Sequence, residues 1–78
     1  MHDPQASERI PFGVMCRTAR AQARLKQKDV AHAARISPSR LSRIESGECE
    51  PMLTEALCLM KLLGISPEHV AAAMEHRH

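Results

Sequence analysis

The chain has 78 residues, enough for one small domain with a modest core but too few for a deep substrate cleft with a supporting shell. Phe12 is the only aromatic residue, whereas Ala, Leu, Met, Arg and Glu are abundant, and this composition favours helices over strands. We therefore expect an all-α fold. We expect no enzyme, because no convergent set of titratable groups stands out in so short a chain.

The first ten residues contain a proline and several charges without apolar periodicity, so residues 1–10 are expected to form a flexible N-terminal arm. A single domain is expected over residues 11–78. Within it, apolar residues recur at intervals of three and four over residues 12–24 and again over residues 27–34, and this spacing predicts two helices. The inward residues are Phe12, Met15, Cys16, Ala19 and Ala23 in the first helix, and Val30, Ala31 and Ala34 in the second.

A third helix is predicted over residues 38–46. Ser37 stands directly before Pro38, and a serine cap followed by proline at the first helical position is a typical helix start. Leu41 and Ile44 face inward, and Gly47 ends the helix because it tolerates the left-handed backbone found just past a helix end.

The fourth predicted helix, residues 52–63, has the largest apolar content in the chain and stops at Gly64. We expect it to be the spine of the core. Its apolar residues are Leu53, Ala56, Leu57, Leu59, Met60 and Leu63. Ser66, Pro67 and Glu68 repeat the capped start and predict a fifth helix, so the expected architecture is a compact five-helix bundle.

The charges are strongly polarised along the chain. Between Arg17 and Arg43 there are eight basic residues and one acid, Asp29, whereas the rest of the chain has three basic residues and eight acids. A basic middle with acidic flanks is typical of a protein that docks one face on a polyanion. An ordinary solvated surface, the alternative, would mix the two signs more evenly.

The cysteines and histidines indicate neither a metal site nor a disulfide framework. The three cysteines form no CxxC pair, and most of the five histidines lie near the chain ends. No apolar run reaches the roughly 20 residues that span a bilayer, and the polar N-terminus lacks a signal peptide's apolar stretch. We expect a cytoplasmic protein with reduced thiols, no cofactor, no membrane contact and no evident small-molecule ligand.

Residues 27–46 (QKDVAHAARISPSRLSRIES) predict two short helices joined by a tight turn, with Ala31 as the small residue at their crossing. The longer stretch FGVMCRTARAQARLKQKDVAHAARISPSRLSRIESGECEP resembles the Cro and phage-repressor (Xre-like) helix-turn-helix family over residues 12–65. The matching positions are Arg20, Gln27, Val30, Ala31, Ser37, Leu41, Ile44, Glu45, Ser46, Gly47, Pro51 and residues 62–66. The resemblance implies a lambda-repressor-like fold and a sequence-specific transcriptional regulator, most simply a repressor, whose recognition helix is the third.

That resemblance, with the outward geometry of the third helix, implies roles for individual residues. The residues expected to contact bases are Pro38, Ser39, Arg40, Ser42 and Arg43. Arg43 is the best candidate for a bidentate contact with guanine, Arg40 and Ser42 could take bases or phosphates, and Pro38 offers only an apolar contact. The residues expected to contact phosphates are Gln27, Lys28, Ser37 and Ser46.

Two further expectations follow from the resemblance. Arg20 and Glu45 match a structural ion pair of the family, the alternative being two independent surface charges. Arg35 stands where the family usually has glycine in the turn, so we expect a strained or rearranged turn, at a cost of about 1 kcal/mol for a positive φ.

The expected partners are double-stranded DNA and a second copy of the chain. Because the fourth helix is expected to fill the core, the apolar stripe of the fifth helix, together with Ile65, is left to form a homodimer. The predicted interface residues are Ile65, Val70, Ala73 and Met74. A two-fold dimer predicts a palindromic operator. The alternative function is an antitoxin-like or adaptor module that binds a protein partner with the same scaffold and autoregulates its operon.

Overall fold

A computed structural model of the chain describes residues 11–68 and residue 70. Within this part there is no strand, and the four helices in chain order are α1 (Phe12–Gln22), α2 (Gln27–Ala33), α3 (Pro38–Ser46) and α4 (Leu53–Leu63). The all-α prediction is confirmed for these residues. The predicted count of five helices is not supported, since only residues 67, 68 and 70 are described as helical beyond α4. The predicted N-terminal arm lies outside the described residues.

All four helices end in the same backbone arrangement. A residue with positive φ follows the last turn, and the next N–H donates to the carbonyl five residues before it, at 2.9 to 3.0 Å. These are the marks of a Schellman motif. The positive-φ residues are Arg24 (58°), Arg35 (61°), Gly47 (85°) and Gly64 (69°). The two glycine stops and the non-glycine φ of Arg35 were predicted, whereas that of Arg24 was not.

The core is centred on α3. Its Leu41 and Ile44 are fully buried and lie in one apolar cluster with Cys16 of α1 and Leu59 of α4. The three predicted inward residues of α2, Val30, Ala31 and Ala34, are all buried in the same cluster. Ala23 is exposed, contrary to prediction, because α1 ends before it.

The prediction that the fourth helix is the spine of the core is wrong. Only Leu59 of α4 is buried, while Leu53 is 75 % exposed and Leu57 is 54 % exposed. The apolar residues of α4 extend over a wider arc than one side of a helix can bury. The side that carries Leu59 and Leu63 packs against the core, and the neighbouring side is exposed to solvent.

A glycine in the first turn of α1 allows α1 and α3 to approach closely. A Cβ atom at Gly13 would overlap the carbonyl oxygen of Ile44 and lie 2.9 Å from that of Glu45. Both atoms belong to the backbone, which cannot turn aside as a side chain can. Gly13 therefore sets the distance between α1 and the end of α3.

Candidate nucleic-acid interface

One side of α3 is open to solvent and carries short polar side chains with one arginine. The exposed residues of the helix are Pro38, Ser39, Ser42, Arg43 and Ser46. The opposite side is buried through Leu41, Ile44 and Glu45. The helix starts as the sequence predicts, since the Ser37 hydroxyl accepts a hydrogen bond from the backbone N–H of Arg40 at 3.0 Å, with Pro38 in the first turn. Short side chains on this side would let the helix approach base edges closely.

The hydroxyls predicted to contact phosphates already have partners within the chain. Ser37 caps α3, and its oxygen also lies 3.4 Å from that of Ser39. The Ser46 oxygen lies 3.1 Å from the carbonyl oxygen of Arg43 and 2.9 Å from Oε2 of Glu48, and its single proton can serve only one of them. A phosphate that accepts this proton must displace either the carbonyl of Arg43 or the carboxylate of Glu48. Lys28 is exposed in the first turn of α2.

A buried carboxylate joins the first three helices. Glu45 is only 4 % exposed and accepts hydrogen bonds from Nε of Arg20 at 2.9 Å and from Nη2 of Arg20 at 3.1 Å. The remaining guanidinium nitrogen of Arg20 donates to the carbonyl of Leu25 at 3.0 Å, in the turn between α1 and α2. The ion pair implied by the resemblance is therefore present. The hydrogen bond to Glu45 raises the pKa of Arg20 above its ordinary value.

Glu45 also holds Gln27, which sequence reasoning did not anticipate. Nε2 of Gln27 donates to Oε1 of Glu45 at 3.0 Å. The predicted phosphate contact of this side chain is thus limited to the second N–H of its amide. No local signal reveals this contact, because the two residues are 18 positions apart.

Cys16 lies beneath this network. Burial raises the pKa of its thiol to about 12, and the nearby charge of Glu45 adds to the effect. The side chain therefore stays protonated and serves as a small apolar residue of the core.

Arg40, which was predicted to contact bases or phosphates, is bound to a glutamate in the free chain. Nε and Nη2 of Arg40 donate to the two carboxylate oxygens of Glu55, both at 2.7 Å, and Nη1 lies 3.2 Å from Sγ of Cys49. The guanidinium therefore points toward the start of α4. The physical reason is that residue 40 lies on the flank of α3 beside buried Ile44, next to an acid that the sequence places 15 positions away.

The residues predicted to form a dimer interface have different environments. Ile65 packs against the core cluster and is only partly exposed, so it is not left over for a partner, as the prediction required. Val70 is also partly exposed. Ala73 and Met74 lie outside the described residues. The large exposed apolar side chains of α4 and its start are instead Met52, Leu53, Leu57 and Leu62.

Among the residues that the structure describes, no helix has the length and apolar character needed to cross a membrane. No curated protein and no solved structure matches the chain significantly. A family model described as a helix-turn-helix domain matches residues 12–73, most of the chain. That match includes all four helices and the α2–α3 pair, in which Ala31 is fully buried. This protein therefore belongs to the helix-turn-helix domain family.

Proposed function

We propose that the protein is a sequence-specific DNA-binding transcriptional regulator of the Cro and phage-repressor (Xre-like) type, and that α3 is its recognition helix. The observation that carries the proposal is the outward side of α3, where Arg43 is exposed among short side chains while the opposite side is held by the core. An exposed arginine on a rigid helix can donate two parallel hydrogen bonds to guanine O6 and N7. Ser39 and Ser42 are small enough not to obstruct that approach.

The contacts to the DNA backbone are assigned to the exposed basic residues between Arg17 and Arg43. Two of the eight basic residues between Arg17 and Arg43 are paired with glutamates, namely Arg20 and Arg40. The other six are exposed: Arg17, Arg24, Lys26, Lys28, Arg35 and Arg43. Cations that neutralise phosphates release counterions, so binding should weaken steeply with salt. Repression is the simplest outcome, because it needs only occupation of a site in a promoter.

Selection from a random duplex library tests the proposal. The wild-type protein should enrich a defined motif, and Arg43→Ala should lose the preference at one base pair per half-site, worth about 1 to 3 kcal/mol. The matched control is Lys28→Ala, which should weaken all sequences about equally and reduce the salt dependence. Enrichment of the same motif by Arg43→Ala as by the wild type would contradict the assignment of Arg43.

We further propose that the protein binds a palindromic operator as a homodimer. A single recognition helix reads few base pairs, and a two-fold pair doubles the contacts at half-sites about 10 base pairs apart. The exposed side chains of Leu53 and Leu57 support a surface that a second copy covers. Sedimentation at tens of micromolar should report a dimer, and Leu57→Glu should give monomers with weaker operator binding. A wild-type monomer that binds one half-site as tightly as the palindrome would contradict this.

The same exposed residues favour a second candidate function, an antitoxin-like or adaptor module that binds another protein through α4. The two functions differ in what Leu57→Glu removes. In a DNA-binding dimer it weakens operator binding, whereas in an adaptor it abolishes capture of the partner and leaves the DNA motif unchanged.

A further inference from the structure

Two arginines lie one turn apart on α3, the proposed recognition helix. Only one of them is available on the exposed side of the helix. Arg43 is exposed, and Arg40 is bound by Glu55 through two hydrogen bonds of 2.7 Å, with a third contact to Cys49 at 3.2 Å. Residues three apart on a helix have Cβ atoms about 5 to 6 Å apart. A released Arg40 would therefore reach the same stretch of DNA as Arg43.

The carboxylate that holds Arg40 has the same recognition chemistry as a phosphate. Both groups accept two parallel N–H bonds from a guanidinium, so Glu55 and a DNA phosphate are competing partners for this side chain. The pair lies near the surface, with 34 % of the Arg40 side chain exposed and 14 % of that of Glu55. A phosphate could reach Arg40 without opening the core.

Glu55 is itself held in place by the start of α4. Its Oε1 accepts the backbone N–H of Met52 at 2.7 Å, the arrangement of a carboxylate at the third position of a helix. The hydrogen bonds from Arg40 and then from Met52 lower the pKa of Glu55 to about 2. The carboxylate therefore stays ionised, and its position does not depend on Arg40 alone.

We propose that Glu55 withholds Arg40 from the DNA backbone, and that it thereby lowers sequence-independent binding and leaves discrimination to Arg43. This inference rests on the proposed function. A cation on α3 that could bind any DNA phosphate would strengthen binding to every sequence alike. When Glu55 of the same chain binds Arg40, that contribution is lost although the arginine is still present.

The test measures binding of the full chain to a mixed-sequence duplex of about 20 base pairs over a series of NaCl concentrations. Glu55→Gln keeps an oxygen that can accept the N–H of Met52 but loses the charge that holds Arg40. We expect tighter binding and a slope of log K against log salt that is steeper by about 0.9, the value for one additional phosphate contact. Thermal melts of each variant show that it is folded at the assay temperature.

Two controls separate release of Arg40 from a simple change in net charge. Glu50→Gln removes the same charge from an exposed residue in the loop before α4, and its slope should stay that of the wild type. The double variant Arg40→Gln/Glu55→Gln has no net charge change and should also return to the wild-type slope. If Glu55→Gln alone melts early, all titrations are run at a lower temperature at which its melt shows that it is folded.

Several outcomes would overturn the proposal. Equal slopes for Glu55→Gln and Glu50→Gln would mean that Arg40 gains no phosphate on release. A double variant with a shallower slope than the wild type would mean that Arg40 already contacts DNA. If the wild type binds no duplex even at low salt, the proposed function fails together with this inference, whereas wild-type binding without the expected slope change rejects the inference alone.

Discussion

The two arginine–glutamate pairs of this protein have the same chemistry in different surroundings. Each pair has one partner on α3 and two hydrogen bonds between guanidinium and carboxylate. Glu45 is 4 % exposed and sits where three helices meet, whereas Arg40 and Glu55 lie near the surface between α3 and α4. The two carboxylates differ in whether water could solvate them if their arginine were removed.

A carboxylate buried among helices cannot be left alone without a large cost, because water does not reach it to replace the lost partner. A carboxylate near the surface can be solvated, so its pair contributes little to stability. The Arg20–Glu45 pair therefore maintains the packing of α1, α2 and α3. The Arg40–Glu55 pair instead decides where a charge is placed.

The largest expected effect comes from breaking the buried pair. Arg20→Ala should lower the free energy of unfolding by about 3 kcal/mol, because Glu45 would lose two of its three hydrogen bonds in a site closed to water. Arg24→Ala, which removes an exposed arginine just past the end of the same helix, is the control and should change stability much less. Chemical denaturation of both variants measures the difference. Equal losses of unfolding free energy in the two variants would show that the Arg20–Glu45 pair is solvated like a surface pair.

The second-largest expected effect tests the close approach of α1 to the end of α3. Gly13→Ala should lower the free energy of unfolding by about 2 kcal/mol, since the new methyl group overlaps backbone oxygens of α3 and overpacking outweighs the better helix propensity of alanine. The control is Thr18→Ala on the exposed side of α1, which should be neutral or slightly stabilising. A Gly13→Ala protein as stable as the wild type would mean that α1 can shift away from α3 without loss.

The smallest effect concerns the surface pair and its dependence on pH. The folded-state pKa of Glu55 is about 2, below its ordinary value of 4.5, so its contribution to stability is fully present above pH 4.5 and is lost as the pH falls toward 2. The melting temperatures of the wild type and Glu55→Gln should therefore differ most above pH 4.5 and converge below it. A difference that does not change between pH 6 and pH 2 would show that the ionised carboxylate is not the stabilising form.

The sequence determined those features that depend on residues close together along the chain. The bounds of α3, its serine cap, its proline and its glycine stop were predicted at the residues where they occur, because each rests on contacts within a single turn. The positive φ of Arg35 was expected from the resemblance to a family that usually has glycine at this position. The buried apolar residues of α2 and α3 follow from apolar spacing. The Arg20–Glu45 pair was expected only through resemblance to a family.

The tertiary structure alone decided which distant side chains meet. Arg40 belongs by position to the outer or the flanking side of α3. Only the approach of α4 brings Glu55 within 2.7 Å of Arg40, and this contact turns the guanidinium toward the start of α4. Leu53 and Leu57 have the spacing of core residues, yet α4 packs along a different edge and leaves them exposed. The hydrophobic pattern of a sequence shows that a helix has an apolar side. It does not show how much of that side the neighbouring helices cover, because burial depends on the distances and angles at which separate helices pack.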